Sequence, residues 1–288
     1  MTTSLRRLAV AALAVAGVLA FTTFPATAQT RFQLPAPSMA QVNDWGCKPD
    51  SPHPAPLVLV HGTAADKQDW ADYAPLLVKL GYCVFAPDYG GHPVTGGQVK
   101  GFGDVRASAR HVADFIANVK ARTGAKKVTY VGHSQGAMIG EYYAKYLGGA
   151  STVDSMILLA PLTHGTTLSG LNRLVPAGTP NRATTDAAMG VFCPACVDME
   201  EGSAFVRKLT RGPIAQPGIE YFVIASRNDL IVTPPKSQFI REPGVDNVFV
   251  QEVCPRAHVG HQDLTHDRVV AQLLLARLGH HGTSSIAC

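Results

Sequence analysis

Beyond residue 20 the chain has no long apolar run, no block of like charges and no fixed-period repeat. The first absence excludes a membrane-spanning helix there, and so stable membrane insertion by that route. The second gives no footing for nucleic acid or an anionic surface as partner. The third excludes solenoids and propellers of repeated motif. Charge is scarce, with Asp, Glu, Lys and Arg making up 16% of the residues and a formal net charge of +4. The single Cys-x-x-Cys has no companion motif and no EF-hand-like spacing occurs, so no metal or cofactor is expected. What is present is an apolar fraction of 46% over 288 residues, which excludes an intrinsically disordered chain and suffices for one large core.

The N-terminus reads as an address. Arg6 and Arg7 precede an apolar stretch over residues 8–20, and Pro25 precedes Ala26-Thr27-Ala28. This is the pattern of a secretory signal with cleavage after Ala28. The expected layout is therefore a signal peptide at 1–28 and a single secreted, extracellular domain at 29–288, with the net charge reduced to +2 by loss of the two arginines. Export gives the six cysteines a meaning, since an even number in an oxidising compartment suggests three disulfides. Position suggests the pairs. Cys193 and Cys196 are close enough for local pairing. Cys47 and Cys83 adjoin neighbouring strands. Cys254 ends a late strand, and a bond to Cys288 would pin the tail. Each of the two long loops would contribute about 4 kcal/mol in the chain-entropy picture.

Short apolar runs alternate with helical spacing along the chain. Strands are expected at 57–60, 83–86, 127–131, 156–160, 221–225 and 248–253, and helices at 69–80, 104–122, 137–147 and 264–278. Strands separated by helices imply a mostly parallel sheet covered on both faces, hence an α/β fold. The alternation breaks over residues 162–218, which carry Gly, Pro, Thr and Cys with weak periodicity. That segment reads as an insertion capping the C-terminal edge of the sheet, where ligands bind in such folds.

Gly132-His133-Ser134-Gln135-Gly136 follows a strand and precedes a helix. On such a turn a serine adopts strained dihedrals, flanking glycines relieve the crowding, and the helix N-terminus directs positive charge at the hydroxyl. A serine hydroxyl needs a base, and the base needs an acid to orient it. The chain order on this kind of sheet is Ser, then acid, then His. Asp229 lies just past the 221–225 strand. Asp186 and Asp198 fall in the irregular segment with no strand to position them. His261 has a glycine before it and adjoins the last helix, which favours it over His258; His280 and His281 follow that helix and read as solvated. Donors for an oxyanion would be the backbone N–H of Gln135 and of Thr63 in His61-Gly62-Thr63, with the Thr63 hydroxyl as a third. Leu162, Leu168, Leu171, Leu174, Val191 and Phe192 are candidates for an acyl-pocket wall or for packing within the insertion.

Residues 57–63, 81–90, 132–136, 227–234 and 260–278, taken in order, resemble the secreted α/β-hydrolase lipases of actinobacteria, the class 2 triacylglycerol lipase group. The likeness covers most of the chain after residue 28. It implies an α/β-hydrolase fold and an esterase or lipase acting on acylglycerols. It supports Ser134, Asp229 and His261 as catalytic residues and Thr63 with Gln135 as the oxyanion hole. The group's motif around the histidine fits His261 with Asp267 and does not fit His258. The three disulfide pairs also agree with the group. The expected partner is an acylglycerol or other ester, met at a lipid–water interface, and the expected state is a monomer. The same residues would serve an acyltransferase, a cutinase-like enzyme or a polyester-depolymerising hydrolase. A catalytically silent binding protein is the reading from another class.

Overall fold

In the computed structural model, residues 38–174, 179–279 and 286–288 are described; the expected signal segment at 1–28 lies outside them, as do His280 and His281. Among the described residues six strands form one parallel sheet: β1 (Leu57–Val60), β2 (Val84–Phe85), β3 (Val128–His133), β4 (Val153–Leu159), β5 (Glu220–Ala225) and β6 (Val245–Phe249), in the order β2-β1-β3-β4-β5-β6. The helices are α1 (Ala74–Lys79), α2 (Val105–Thr123), α3 (Gln135–Tyr146), α4 (Pro180–Phe192), α5 (Pro194–Asp198), α6 (Ala204–Leu209), α7 (Val250–Val253) and α8 (Arg268–Arg277).

The strands are apolar on both faces because both faces are covered. Val58 and Val60 join Tyr130, Met156, Leu158 and the buried stripes of α2 and α3. Leu57 and Leu59 point the other way and join Trp70, Leu77, Ile157 and the inner side of α8. The period-two alternation of side chains thus builds two cores from one sheet. β1 leads to β2 on one side, and the chain then returns past β1 to begin β3 on the other. The order reverses between β1 and β3, and the crevice at such a reversal is where open α/β sheets place ligands. Ser134 follows β3 there and Thr63 follows β1.

Four expectations about elements need correction. The helix expected over 69–80 is a 3₁₀ turn, Lys67–Trp70, followed by α1, because Pro75 lacks an N–H and suits only the first turn of a helix. The strand expected over 248–253 ends at Phe249, and α7 follows, so Cys254 comes after a helical turn and not a strand. The helix expected over 264–278 is likewise split: a 3₁₀ turn, Gln262–Thr265, precedes α8, whose N-terminus Asp267 caps by accepting from the N–H groups of Val269 and Val270. The segment 162–218 is not irregular throughout. It holds α4, α5 and α6, with Thr179 capping α4 and Ser203 capping α6. Asp186 and Asp198 therefore sit on helices, paired with Arg182 and Arg106.

Disulfides join Cys47 to Cys83, Cys193 to Cys196 and Cys254 to Cys288.

Candidate active site

Ser134 is the turn residue between β3 and α3, with φ 56° and ψ −119°. A non-glycine residue held there stores on the order of 1–3 kcal/mol of backbone strain. The surroundings hold it in place. Its N–H donates to the Leu159 carbonyl of β4 at 2.8 Å. The two glycines are required by close approach. A Cβ on Gly132 would lie 2.7 Å from Ala137 Cα, and one on Gly136 would run into the carbonyl oxygens of Val60 and His61. Only bare backbone lets β1, β3 and α3 converge this tightly.

His261 brings Nε2 to 2.9 Å from Ser134 Oγ and Nδ1 to 2.7 Å from Asp229 Oδ2. The three side chains form one hydrogen-bonded line, and all are buried. Asp229 is 1% exposed, and its carboxylate accepts four hydrogen bonds: Oδ1 from the N–H groups of Ile231 and Val232, both at 2.8 Å, and Oδ2 from His261 Nδ1 and from Gln238 Nε2 at 3.0 Å. A carboxylate can only accept, so Nδ1 carries the imidazole proton and Nε2 is left to accept from the serine hydroxyl. Burial lowers the pKa of His261 below 6.5, against the raising effect of Asp229, which keeps the ring neutral and basic near pH 7. His258 is exposed and takes no part in this line.

Gln135 opens α3, so its backbone N–H is among those a helix leaves without an internal acceptor. Thr63 follows β1 beside it. The Thr63 hydroxyl is not presented as a third donor: it donates to the Gln135 side-chain oxygen at 2.9 Å and lies 3.4 Å from Met199 Sδ. This bond joins the β1 turn to the residue after Ser134. Gly101 closes over the pair with φ 72°, where a Cβ would come within 2.9 Å of Gln135 Oε1. His61, stacked on Tyr89 at 4.3 Å, bonds the Gly62 carbonyl through Nδ1 and stiffens the same turn.

Several neighbours carried no signal in the sequence. Gln238 reaches Asp229 from a 3₁₀ turn, Pro235–Gln238. His133 bonds the His261 carbonyl through Nε2 at 3.1 Å and turns Nδ1 toward Asp69, 3.4 Å away. Met199 carries the segment between β4 and β5 to the Thr63 turn. The only hint of His133 was its place inside the glycine-flanked motif. The six apolar candidates for a pocket wall divide: Leu162 is core and Leu168 is half-buried, whereas Leu171, Leu174, Val191 and Phe192 are exposed. Leu230 and Ile231, immediately after Asp229, are exposed too, and the Ser169 hydroxyl donates to the Leu230 carbonyl at 2.8 Å.

A serine on a strand–turn–helix elbow, aligned with a histidine and an aspartate at the C-terminal edge of a parallel sheet, defines a class of α/β architecture. The chain belongs to the family described as the alpha/beta hydrolase fold, whose sequence model matches residues 55–210. No curated protein sequence matches it. Among solved structures it is similar to Aspergillus fumigatus lipase B, with a TM-score of 0.61 and 20% identity, covering 80% of this chain and 54% of that one. The chain thus spans about half the length of the fungal lipase. It is also similar to the mature form of the Bacillus licheniformis lipase BlEst2, with a TM-score of 0.55 and 19% identity, covering 81% of this chain and 96% of that one. At these identities the likeness establishes the fold.

Proposed function

We propose that the protein is a secreted serine hydrolase of carboxylic esters, a triacylglycerol lipase or carboxylesterase acting through an acyl-enzyme. The observation that carries the reading is the unbroken line Asp229–His261–Ser134, with 2.7 Å and 2.9 Å hydrogen bonds. The two similar structures are themselves called lipases, which supports an ester substrate.

Ser134 Oγ attacks the ester carbonyl while His261 Nε2 takes its proton, and Asp229 stabilises the imidazolium that forms. The N–H groups of Gln135 and Thr63 receive the oxyanion. His261 returns the proton to the departing alcohol. Water, activated by the same histidine, then releases the acid and frees Ser134. Because burial holds His261 below its ordinary pKa, kcat/KM is expected to fall on the acid side of pH 6.5, and a midpoint above 6.5 would mean that Asp229 outweighs burial at the ring.

The segment between β4 and β5 acts as a cap, and its outward apolar side chains, with Leu230 beside the site, meet a lipid–water surface. Hydrolysis of p-nitrophenyl esters from acetyl to palmitoyl, alongside emulsified triacylglycerol, tests the reading. Turnover of long chains and emulsion, lost in Ser134→Ala, supports a lipase. Activity confined to short soluble esters restricts the protein to a carboxylesterase, and turnover independent of Ser134 overturns the mechanism.

A further inference from the structure

One donor on Asp229 has no part in the proton transfers above. Gln238 is fully buried, and its Nε2 lies 3.0 Å from Asp229 Oδ2 and 3.1 Å from the Val232 carbonyl oxygen. Both partners are acceptors, so the amide can only present its N–H groups to them. Its own Oε1 has no hydrogen-bond partner among the described residues. An amide placed for packing alone would not leave a buried oxygen unpaired in order to aim a donor at one carboxylate oxygen. That oxygen is the one that receives His261 Nδ1.

Gln238 is held from behind. Its backbone carbonyl accepts from Thr163 Oγ1 at 3.2 Å, and Thr163 Oγ1 lies 2.5 Å from Oε1 of Glu141, on the helix that Ser134 opens. Thr163 has one hydroxyl proton and two acceptors facing it. The conflict disappears when Glu141 is protonated. Its O–H then donates to Thr163, and the Thr163 proton goes on to Gln238. Burial pushes Glu141 up to about 8, which favours that state.

We infer that Gln238 is a positioning residue, aiming the Asp229 carboxylate at His261 and anchored through Thr163 and Glu141 to the helix that follows Ser134. The inference rests on the triad reading above. The titratable groups that face position 238 are Asp229 itself, His261 beyond it, Glu141 through Thr163, and His164, whose Nδ1 bonds the Ser237 carbonyl.

Gln238→Met keeps the volume and removes the donor. With a soluble ester, kcat is expected to fall roughly ten- to a hundredfold with KM unchanged. The acid limb should move to higher pH, because a carboxylate short of one donor draws more strongly on the imidazolium. Gln238→Glu adds a distinctive readout. Its protonated form can donate to the same oxygen, whereas its ionised form repels Asp229. Activity should therefore pass through a maximum, limited on the acid side by protonation of His261 as in wild type and falling again at higher pH as the introduced carboxyl ionises, a descending limb that wild type lacks. Unchanged kcat and acid limb in a folded Gln238→Met, or a rise in KM alone, would overturn the inference. So would failure of both variants to give a cooperative thermal transition, which would make Gln238 a core residue only. Fluorophosphonate labelling of wild type and Ser134→Ala separates the two levels. An unlabelled wild type defeats the triad reading and this inference with it. Normal labelling beside an unaffected Gln238→Met defeats this inference alone.

Discussion

The two sides of the candidate site are built by opposite rules. At the β3–α3 elbow every group is fixed: Ser134 is buried, its N–H is bonded across to β4, and the two glycines leave no room for a Cβ. The segment between β4 and β5 is tied to the core by buried Phe205 and Leu209 and by Arg106 pairing with Asp198, and within itself by the Cys193–Cys196 bond and by Arg182 pairing with Glu200. Its apolar side chains include Leu174, 78% exposed, and Phe192, 60% exposed. The elbow sets what reaction is possible. In the function proposed above the segment sets what reaches it, and its exposed apolar side chains are available for that purpose.

The largest effect expected from breaking the elbow is chemical. Ser134→Ala should lower kcat on p-nitrophenyl butyrate by roughly ten-thousandfold or more, with the melting temperature little changed, since only a hydroxyl is lost. No single substitution on the exposed face of α4 should approach this loss.

Two alanines placed at glycines carry the comparison into stability. Gly136→Ala would drive a carbon into the carbonyls of Val60 and His61, which are backbone atoms of the β1 end and cannot swing aside. A loss of about 3 kcal/mol or more is expected, read as a fall in melting temperature of roughly 10 °C. Gly190 lies in α4, where the nearest atom to an added Cβ is Val197 Cγ2 at 4.0 Å. Gly190→Ala should raise stability by up to about 1 kcal/mol, because the helix no longer restrains a glycine. Equal effects at the two positions would erase the distinction between the regions.

The same contrast explains what could be read before the structure was known. The elbow was legible because its determinants are consecutive: an apolar strand, two glycines around a serine, and a helix directly after. Asp229 and His261 were legible because each follows a strand in the order the sheet requires. Gln238 was not, since an amide nine residues past Asp229 belongs to no motif and acts through a turn that only the fold creates. α4 was missed for a different reason. Its apolar residues Val191 and Phe192 face outward, so no core-facing stripe appears in the sequence, and the cues that remained were Thr179 and Pro180 at its start. The broken helices at 69–80 and 264–278 misled because Trp70 and Leu264 are core residues at helical spacing, although they sit on 3₁₀ turns.

A smaller effect separates two buried carboxyls near the elbow. Asp229 accepts four hydrogen bonds, whereas Glu141 meets only the Thr163 hydroxyl, and its Oε2 has no hydrogen-bond partner among the described residues. Burial therefore raises Glu141 to about 8 from an ordinary 4.5. Between those values the unfolded chain gives up a proton that the folded chain keeps, so stability falls as pH rises through that window and levels off above it. Glu141→Gln removes this contribution. Its melting temperature should vary less between pH 5 and pH 8 than that of wild type, and an unchanged slope would mean that Glu141 is ionised in the fold.

The smallest effect on the fold should come from the exposed face, and it sharpens the comparison most. Leu174→Ser and Phe192→Ser remove side chains that already stand in water, so stability should change by no more than about 0.5 kcal/mol. Hydrolysis of a short soluble ester should be untouched, because neither residue belongs to the Asp229–His261–Ser134 line. Binding to a lipid surface is different, since each large apolar side chain that inserts contributes on the order of 1.5–3 kcal/mol and its loss weakens adsorption accordingly. Activity on emulsified triacylglycerol should then fall severalfold while the soluble-ester rate stays constant. A parallel fall in both would mean that these residues act on the site itself, and no change in either would remove the exposed face from the substrate's path.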